Sequence, residues 1–129
     1  MKEENQIDLK LLDSSIWIDY LIKGNFKEII ESENRLITSI LSLFEIKKKF
    51  MKDRAISKEK IQESLLFIKQ KSILSELTTN IVEKAAEISI EKNLGAIDSL
   101  IYSSAILNNA KFLTLDNDFR GLNNTIILN

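Results

Sequence analysis

The chain of 129 residues contains no His, no Cys and no Pro. Without Cys there is no disulfide, no thiol nucleophile and no Cys-based zinc or iron–sulfur site. Without His the Ser-His-Asp and Cys-His arrangements are excluded, as are the usual zinc, haem and non-haem iron ligand sets. Arg occurs only at Arg35, Arg54 and Arg120, which limits bidentate phosphate recognition because Lys offers a point charge and no planar fork. No run approaches the roughly 20 apolar residues of a membrane helix. Met1 to Gln6 is short, polar and mixed in charge, unlike a signal peptide, so a soluble cytoplasmic protein is expected. Catalysis, if present, falls to carboxylates, Lys, Tyr, Ser or Thr, or a hard metal held by oxygen.

What remains is a balanced composition. Apolar residues make up 44% and charged residues 29%, with a net charge of −1, as in a folded domain. The length fits one domain spanning residues 1–129, with a polar extension at 1–6. Whole-molecule attraction to nucleic acid has no basis in that charge.

Apolar patterning predicts strands at Ile7–Leu12, Arg35–Thr38, Ile73–Leu77, Phe112–Leu115 and Thr125–Leu128. Helical spacing predicts helices over Ser14–Ile22, Phe26–Glu31, from Ser39 as N-cap, and from about Ser57. A further helix is expected from Asn80, with Glu83 completing a capping box and Val82, Ala85, Ala86 and Ile88 as its apolar stripe. Asn93 and Gly95 stop it, and a last helix carries Ile97, Leu100, Ile101, Ala105 and Leu107. Strands alternating with helices imply a parallel sheet in an α/β fold, which binds ligands beyond the carboxyl ends of its strands. Asp13 and Asp116 end the first and fourth strands.

Each acid has an ordinary structural explanation when taken alone. Asp13 suits an Asx-turn or N-cap, and Asp98 suits the positive end of a helix. Glu45 sits mid-helix four residues before Lys49, as in a solvated ion pair. Asp116 and Asp118 begin like a calcium loop, but Arg120 and Ile127 stand where oxygen ligands are needed. Ser57-x-x-Lys60 and Ser89-x-x-Lys92 match a Ser–Lys nucleophile spacing on ordinary surface helices, and no phosphate-binding Gly-rich loop is present. Trp17 and Tyr20 lie among apolar residues and read as packing. The cluster Lys47, Lys48, Lys49, Lys52, Arg54, Lys58 and Lys60 fits either an RNA-steering flank or a solvated helix face.

In chain order the acids form a pattern. Asp13-Ser14-Ser15 after an apolar strand, Glu45 in the following helix, Asp98-x-x-Ile101-x-x-x-Ala105 and Thr114-x-Asp116-x-Asp118-Phe119 together resemble the PIN-domain nucleases. The likeness runs from about Ile7 to the C-terminus and is closest to the VapC-type toxins of toxin–antitoxin pairs. It implies a three-layer α/β/α sandwich with a central parallel sheet of about five strands. It also implies an endoribonuclease dependent on Mg²⁺ or Mn²⁺, an antitoxin partner and a homodimer. By motif, Asp13, Glu45, Asp98 and Asp116 fall on the acidic, metal-binding site, with Asp118 as a second candidate for the fourth acid. Ser14 and Thr114 match small polar positions lining it. Lys48, Lys49, Lys52 and Arg54 are the candidate RNA contacts. A PIN-fold RNA-processing nuclease that is not a toxin and a non-catalytic RNA- or protein-binding module are the alternatives. A receiver-like domain fits less well, for want of an acid after the third strand and a Lys after the fifth.

Overall fold

The computed structural model describes residues 8–128. Five strands, β1 (Leu9–Leu12), β2 (Arg35–Ser39), β3 (Ile73–Ser75), β4 (Lys111–Thr114) and β5 (Thr125–Ile127), form one sheet in the order β3-β2-β1-β4-β5. Every pairing is parallel, with Leu11 opposite Ile37 on one side and Phe112 on the other. The expected fold class is therefore the observed one. The first predicted strand includes Ile7, which lies outside the described residues.

Adjacent strand residues point to opposite faces, so the central strands feed two cores. Leu12, Leu36 and Leu113 pack one face against α1 (Ser14–Lys23), α2 (Lys27–Ile30), α3 (Ile40–Met51) and α4 (Lys58–Lys71). Leu11, Ile37 and Phe112 pack the other face against α5 (Thr79–Lys92) and α6 (Ala96–Leu107). In the first core Trp17 is fully buried. Its indole N–H donates to Thr38 Oγ1 at 3.1 Å. Ser72 spends its hydroxyl proton on the Ile68 carbonyl, so Thr38 must donate across its 2.7 Å contact with Ser72. A hydrogen-bonded relay thus ties α1, β2 and the end of α4. Packing is indeed the role of Trp17, and Tyr20 stacks on Phe67 at 5.8 Å while its hydroxyl donates to Glu31.

Helix ends follow local chemistry. Ser39 caps α3 as expected, Ser57 caps α4, and Gly24, at φ 76°, closes α1 in the left-handed region that suits glycine. The start of α5 is a correction: Thr78, extended at φ −94° and ψ 165°, accepts from Ile81 N, leaving Asn80 inside the first turn. Its inward stripe is Ile81, Ala85 and Ile88, with Val82 and Ala86 turned outward. In α6, Ile97 and Leu107 are exposed, and Ser99, Ser103 and Ser104 are buried instead. Ser99 and Ser104 satisfy their hydroxyls on the Gly95 and Leu100 carbonyls one turn back, so serine tolerates burial there. Phe44 of α3 is exposed as well, and this helix buries Ser42, Ile46 and Phe50 instead. Leu77 falls beyond β3, which ends at Ser75.

Among the described residues, no helix is long and apolar enough to cross a membrane.

Candidate carboxylate site at the sheet edge

After β3 the chain crosses back to place β4 on the far side of β1, making a topological switch point between these two strands. Asp13 follows β1 directly, and its backbone N–H donates to the Leu113 carbonyl of β4 at 2.9 Å. Asp116 lies two residues beyond β4 and caps the 3₁₀ turn Asn117–Phe119. Asp98 occupies the first turn of α6, and Glu45 projects from the middle of α3. Four separate segments thus deliver acids to one end of the sheet.

Carboxylate oxygens of Asp98, Asp116 and Asp118 all lie within 4.8 Å of one another. Both candidates for the fourth acid therefore enter the cluster; Asp118 is exposed and Asp116 half-buried. Asp13 and Glu45 stand beside this trio. Burial pushes the Asp98 carboxyl up to about 6, and the charges of Asp116, Asp13, Glu45 and Asp118 add to the shift. Asp98 is the position that feels all four other acids. Burial also raises Asp13, opposed by hydrogen bonds from Thr114, Ser15 and Ser14 and reinforced by the Asp116 charge. Glu45 is raised by burial, held back by its bond from Ser14 and pushed further by Asp13. Among the described residues, no Lys or Arg forms an ion pair with any of these five acids.

Asp13 is only 6% exposed, and both of its oxygens are hydrogen-bonded: Oδ1 accepts from Ser14 N at 2.9 Å, and Oδ2 accepts from Thr114 Oγ1 at 2.7 Å and Ser15 Oγ at 3.0 Å. Ser14 Oγ donates to Glu45 Oε1 at 2.8 Å, so Glu45 is held in the site and not spent on Lys49. The solvated-pair explanation of Glu45 fails because α3 packs against α1 and turns this side chain toward the Asp13 junction. Ser14 and Thr114 thus bond Glu45 and Asp13 respectively.

Ser15 stands in the Asp13-Ser14-Ser15 motif, but the resemblance assigns it no place in the site. Its hydroxyl donates to Asp13 and accepts from Leu115 N at 3.1 Å, joining the β1–α1 and β4 junctions across 100 positions. Thr114 does the parallel job, accepting from Asp116 N at 3.0 Å. Both hydroxyl protons are thereby spent on Asp13, and the 3.4 Å Ser15–Thr114 contact carries none. The available signal was a second small hydroxyl residue directly behind the strand-terminal acid. Replacing Ser15 with Ala strands the Leu115 N–H and leaves Asp13 Oδ2 with the Thr114 hydroxyl as its remaining donor. A loss of about 1–3 kcal/mol is expected in urea unfolding, with Ser15→Thr recovering most of it.

The candidate RNA-contacting lysines occupy the second half of α3 and the turn after it. Lys48 and Lys49 suit the negative helix end, and Lys48 Nζ lies 5.7 Å from the Phe44 ring centre. Lys49 alone reaches a cleft beside Ser14 and Ser15.

The fold and this edge define a parallel α/β protein whose chemistry-bearing groups are carboxylates converging at a topological switch point. The PIN-domain family model matches residues 10–124, and the chain belongs to that family. It is similar in structure to VapBC2 from Rickettsia felis bound to a promoter DNA fragment. The identity there is 23% and the TM-score 0.76, covering 94% of this chain and 98% of the other. A toxin–antitoxin complex from Klebsiella pneumoniae is 18% identical with TM-score 0.77, covering 91% and 95%. VapC20 from Mycobacterium tuberculosis, a toxin that cleaves the sarcin–ricin loop, is 12% identical with TM-score 0.63, covering 88% and 95%. No curated protein matches the sequence significantly.

Proposed function

We propose that the protein is a metal-dependent endoribonuclease, the toxin of a toxin–antitoxin pair held inactive by a small antitoxin. The observation that carries this reading is the convergence of Asp98, Asp116 and Asp118 within 4.8 Å, with Asp13 and Glu45 alongside, in a PIN-family chain. The structural likeness to toxin–antitoxin complexes and to an RNA-cleaving toxin supports it.

The donor set fits Mg²⁺ or Mn²⁺, which prefer carboxylate oxygen and water. Carboxylates this close repel by roughly 3 kcal/mol per pair at an effective dielectric of about 20, and no protein cation among the described residues relieves them. Asp98, Asp116 and Asp118 would hold the ion, with Asp13 and Glu45 contributing directly or through water. When bound, such an ion neutralises charge at the phosphodiester and activates water for hydrolysis. The chain's own groups do the positioning. Ser15 and Thr114 fix the Asp13 carboxylate through Oδ2, and Ser14 holds Glu45 through Oε1. An RNA phosphate does not approach five carboxylates unaided, which makes activity conditional on the cation. Two copies of the chain would form a homodimer in this reading.

Purified protein, freed of antitoxin and given Mg²⁺ or Mn²⁺, is expected to cut mixed cellular RNA, and chelation with EDTA is expected to stop it. Asp13→Asn is expected to slow cleavage by at least about a hundredfold. Equal cleavage by both proteins, or none by the wild type, refutes the enzymatic reading.

A further inference from the structure

The cleft of about 420 Å³ that opens beside the acids begins at Ser14 and Ser15, whose hydroxyls hold Glu45 and Asp13. It then runs along α1 over an apolar floor of Ile18, Ile22 and Leu115, between Lys23 and Lys49. Ile22 is 55% exposed, a large aliphatic group left against solvent one helical turn from Ile18. Asp19, also on the wall, is turned to its own neighbours: Asn25 donates to it at 2.9 Å, and Lys23 lies 3.7 Å away. Among the described residues Lys49 has no carboxylate partner.

We infer that this cleft is a subsite for the nucleotide adjacent to the scissile phosphate of a single-stranded RNA; the inference rests on the nuclease reading above. A nucleotide presents one flat apolar base and one phosphate, and the cleft presents one apolar floor and lysines at its rim. Ser14 and Ser15 line the cleft and bond Glu45 and Asp13, so a strand whose phosphate reaches the carboxylates has this cleft next to it. Charge also favours this occupant, since Lys23 and Lys49 line the cleft and a phosphate leaving the acids needs a cation. Contact with a base through an apolar floor is tolerant of sequence, so the subsite contributes affinity more than discrimination.

The test measures binding of a fluorescein-labelled single-stranded RNA by anisotropy, in full-length Asp13→Asn protein with Mg²⁺ so that cleavage does not intervene. Ile22→Asp and Lys49→Glu, introduced separately, are each expected to raise Kd about tenfold. Lys84→Glu on α5, across the sheet, is expected to leave it within about twofold. An abasic nucleotide next to the cleavage position should weaken binding in the Asp13→Asn parent and have no further effect once Ile22 is replaced. Unchanged RNA affinity in both cleft variants overturns the subsite, as does an effect of Ile22→Asp on dimer sedimentation with RNA binding intact. Weakened binding of an antitoxin peptide with RNA affinity unchanged assigns the cleft to the antitoxin and overturns it equally. Cleavage assays with Asp13 intact report on the nuclease reading separately, so the two failures are distinguishable.

Discussion

Replacing Asp98 with Asn is expected to make the metal-free protein more stable and the metal-loaded protein inactive. The carboxyl of Asp98 is pushed up to about 6 in the folded chain, against about 3.9 when unfolded. The folded state therefore binds this proton more tightly, and stability is lost as pH rises from about 4 through 6. At pH 7 the folded protein carries the full penalty. The shift corresponds to about 3 kcal/mol at about 1.4 kcal/mol per unit, but Asp98 is only half-buried and solvent screening reduces this to about 1 kcal/mol. Asp98→Asn removes that cost and also relieves Asp116 and Asp13. Its melting temperature in EDTA at pH 7 should exceed the wild type's by several degrees, and its decline between pH 4 and 7 should be shallower. Millimolar Mn²⁺ should raise the wild-type melting temperature and raise the variant's less. RNA cleavage by the variant should fall by at least about a hundredfold. An Asn variant no more stable than wild type in EDTA, with an equal Mn²⁺ response, contradicts the shared site.

Truncating Trp17 should be the most damaging single change to the fold. Its side chain is fully buried between the sheet, α3 and α4, with Phe67 edge-on at 6.4 Å. Trp17→Ala leaves a large cavity and is expected to cost about 3–5 kcal/mol. It also removes the donor that opens the relay through Thr38 and Ser72 to the Ile68 carbonyl. Since domains of this kind are stable by only about 5–15 kcal/mol, the variant should be partly unfolded at 37 °C. Trp17→Phe keeps an aromatic ring and loses the N–H, so it should cost markedly less than Ala. Urea unfolding followed by circular dichroism measures both. Equal costs for Ala and Phe would mean that the hydrogen-bond relay, and not ring packing, dominates.

Much of this molecule is legible one residue at a time. The five strands, the caps at Ser39 and Ser57 and the stop at Asn93 follow from short-range chemistry that operates in any context. The helices on the second face are less legible. Expected apolar positions Val82, Ala86, Ile97 and Leu107 turn outward, and serines turn inward. A buried serine that bonds its own helix one turn back looks the same in a sequence as a solvated one.

The candidate site divides in the same way. The ordered acids and the absence of His and Cys already pointed to carboxylate chemistry, because residue types set what a site can coordinate. Four of those acids come from segments up to 103 positions apart, counting from Asp13 to Asp116. Whether they meet depends on the crossover that sets β4 beside β1 and on α3 packing against α1, neither of which is encoded near any one acid. Only the assembled structure decides that Glu45 bonds Ser14 and not Lys49, that Ser15 joins two strand ends, and that Asp116 and Asp118 both reach Asp98. The net charge of −1 likewise hides an uneven surface: carboxylates crowd one sheet edge, and lysines collect on the adjoining helix. Composition sums charges, but Coulomb repulsion and desolvation depend on distance and burial, which exist only once the chain has folded.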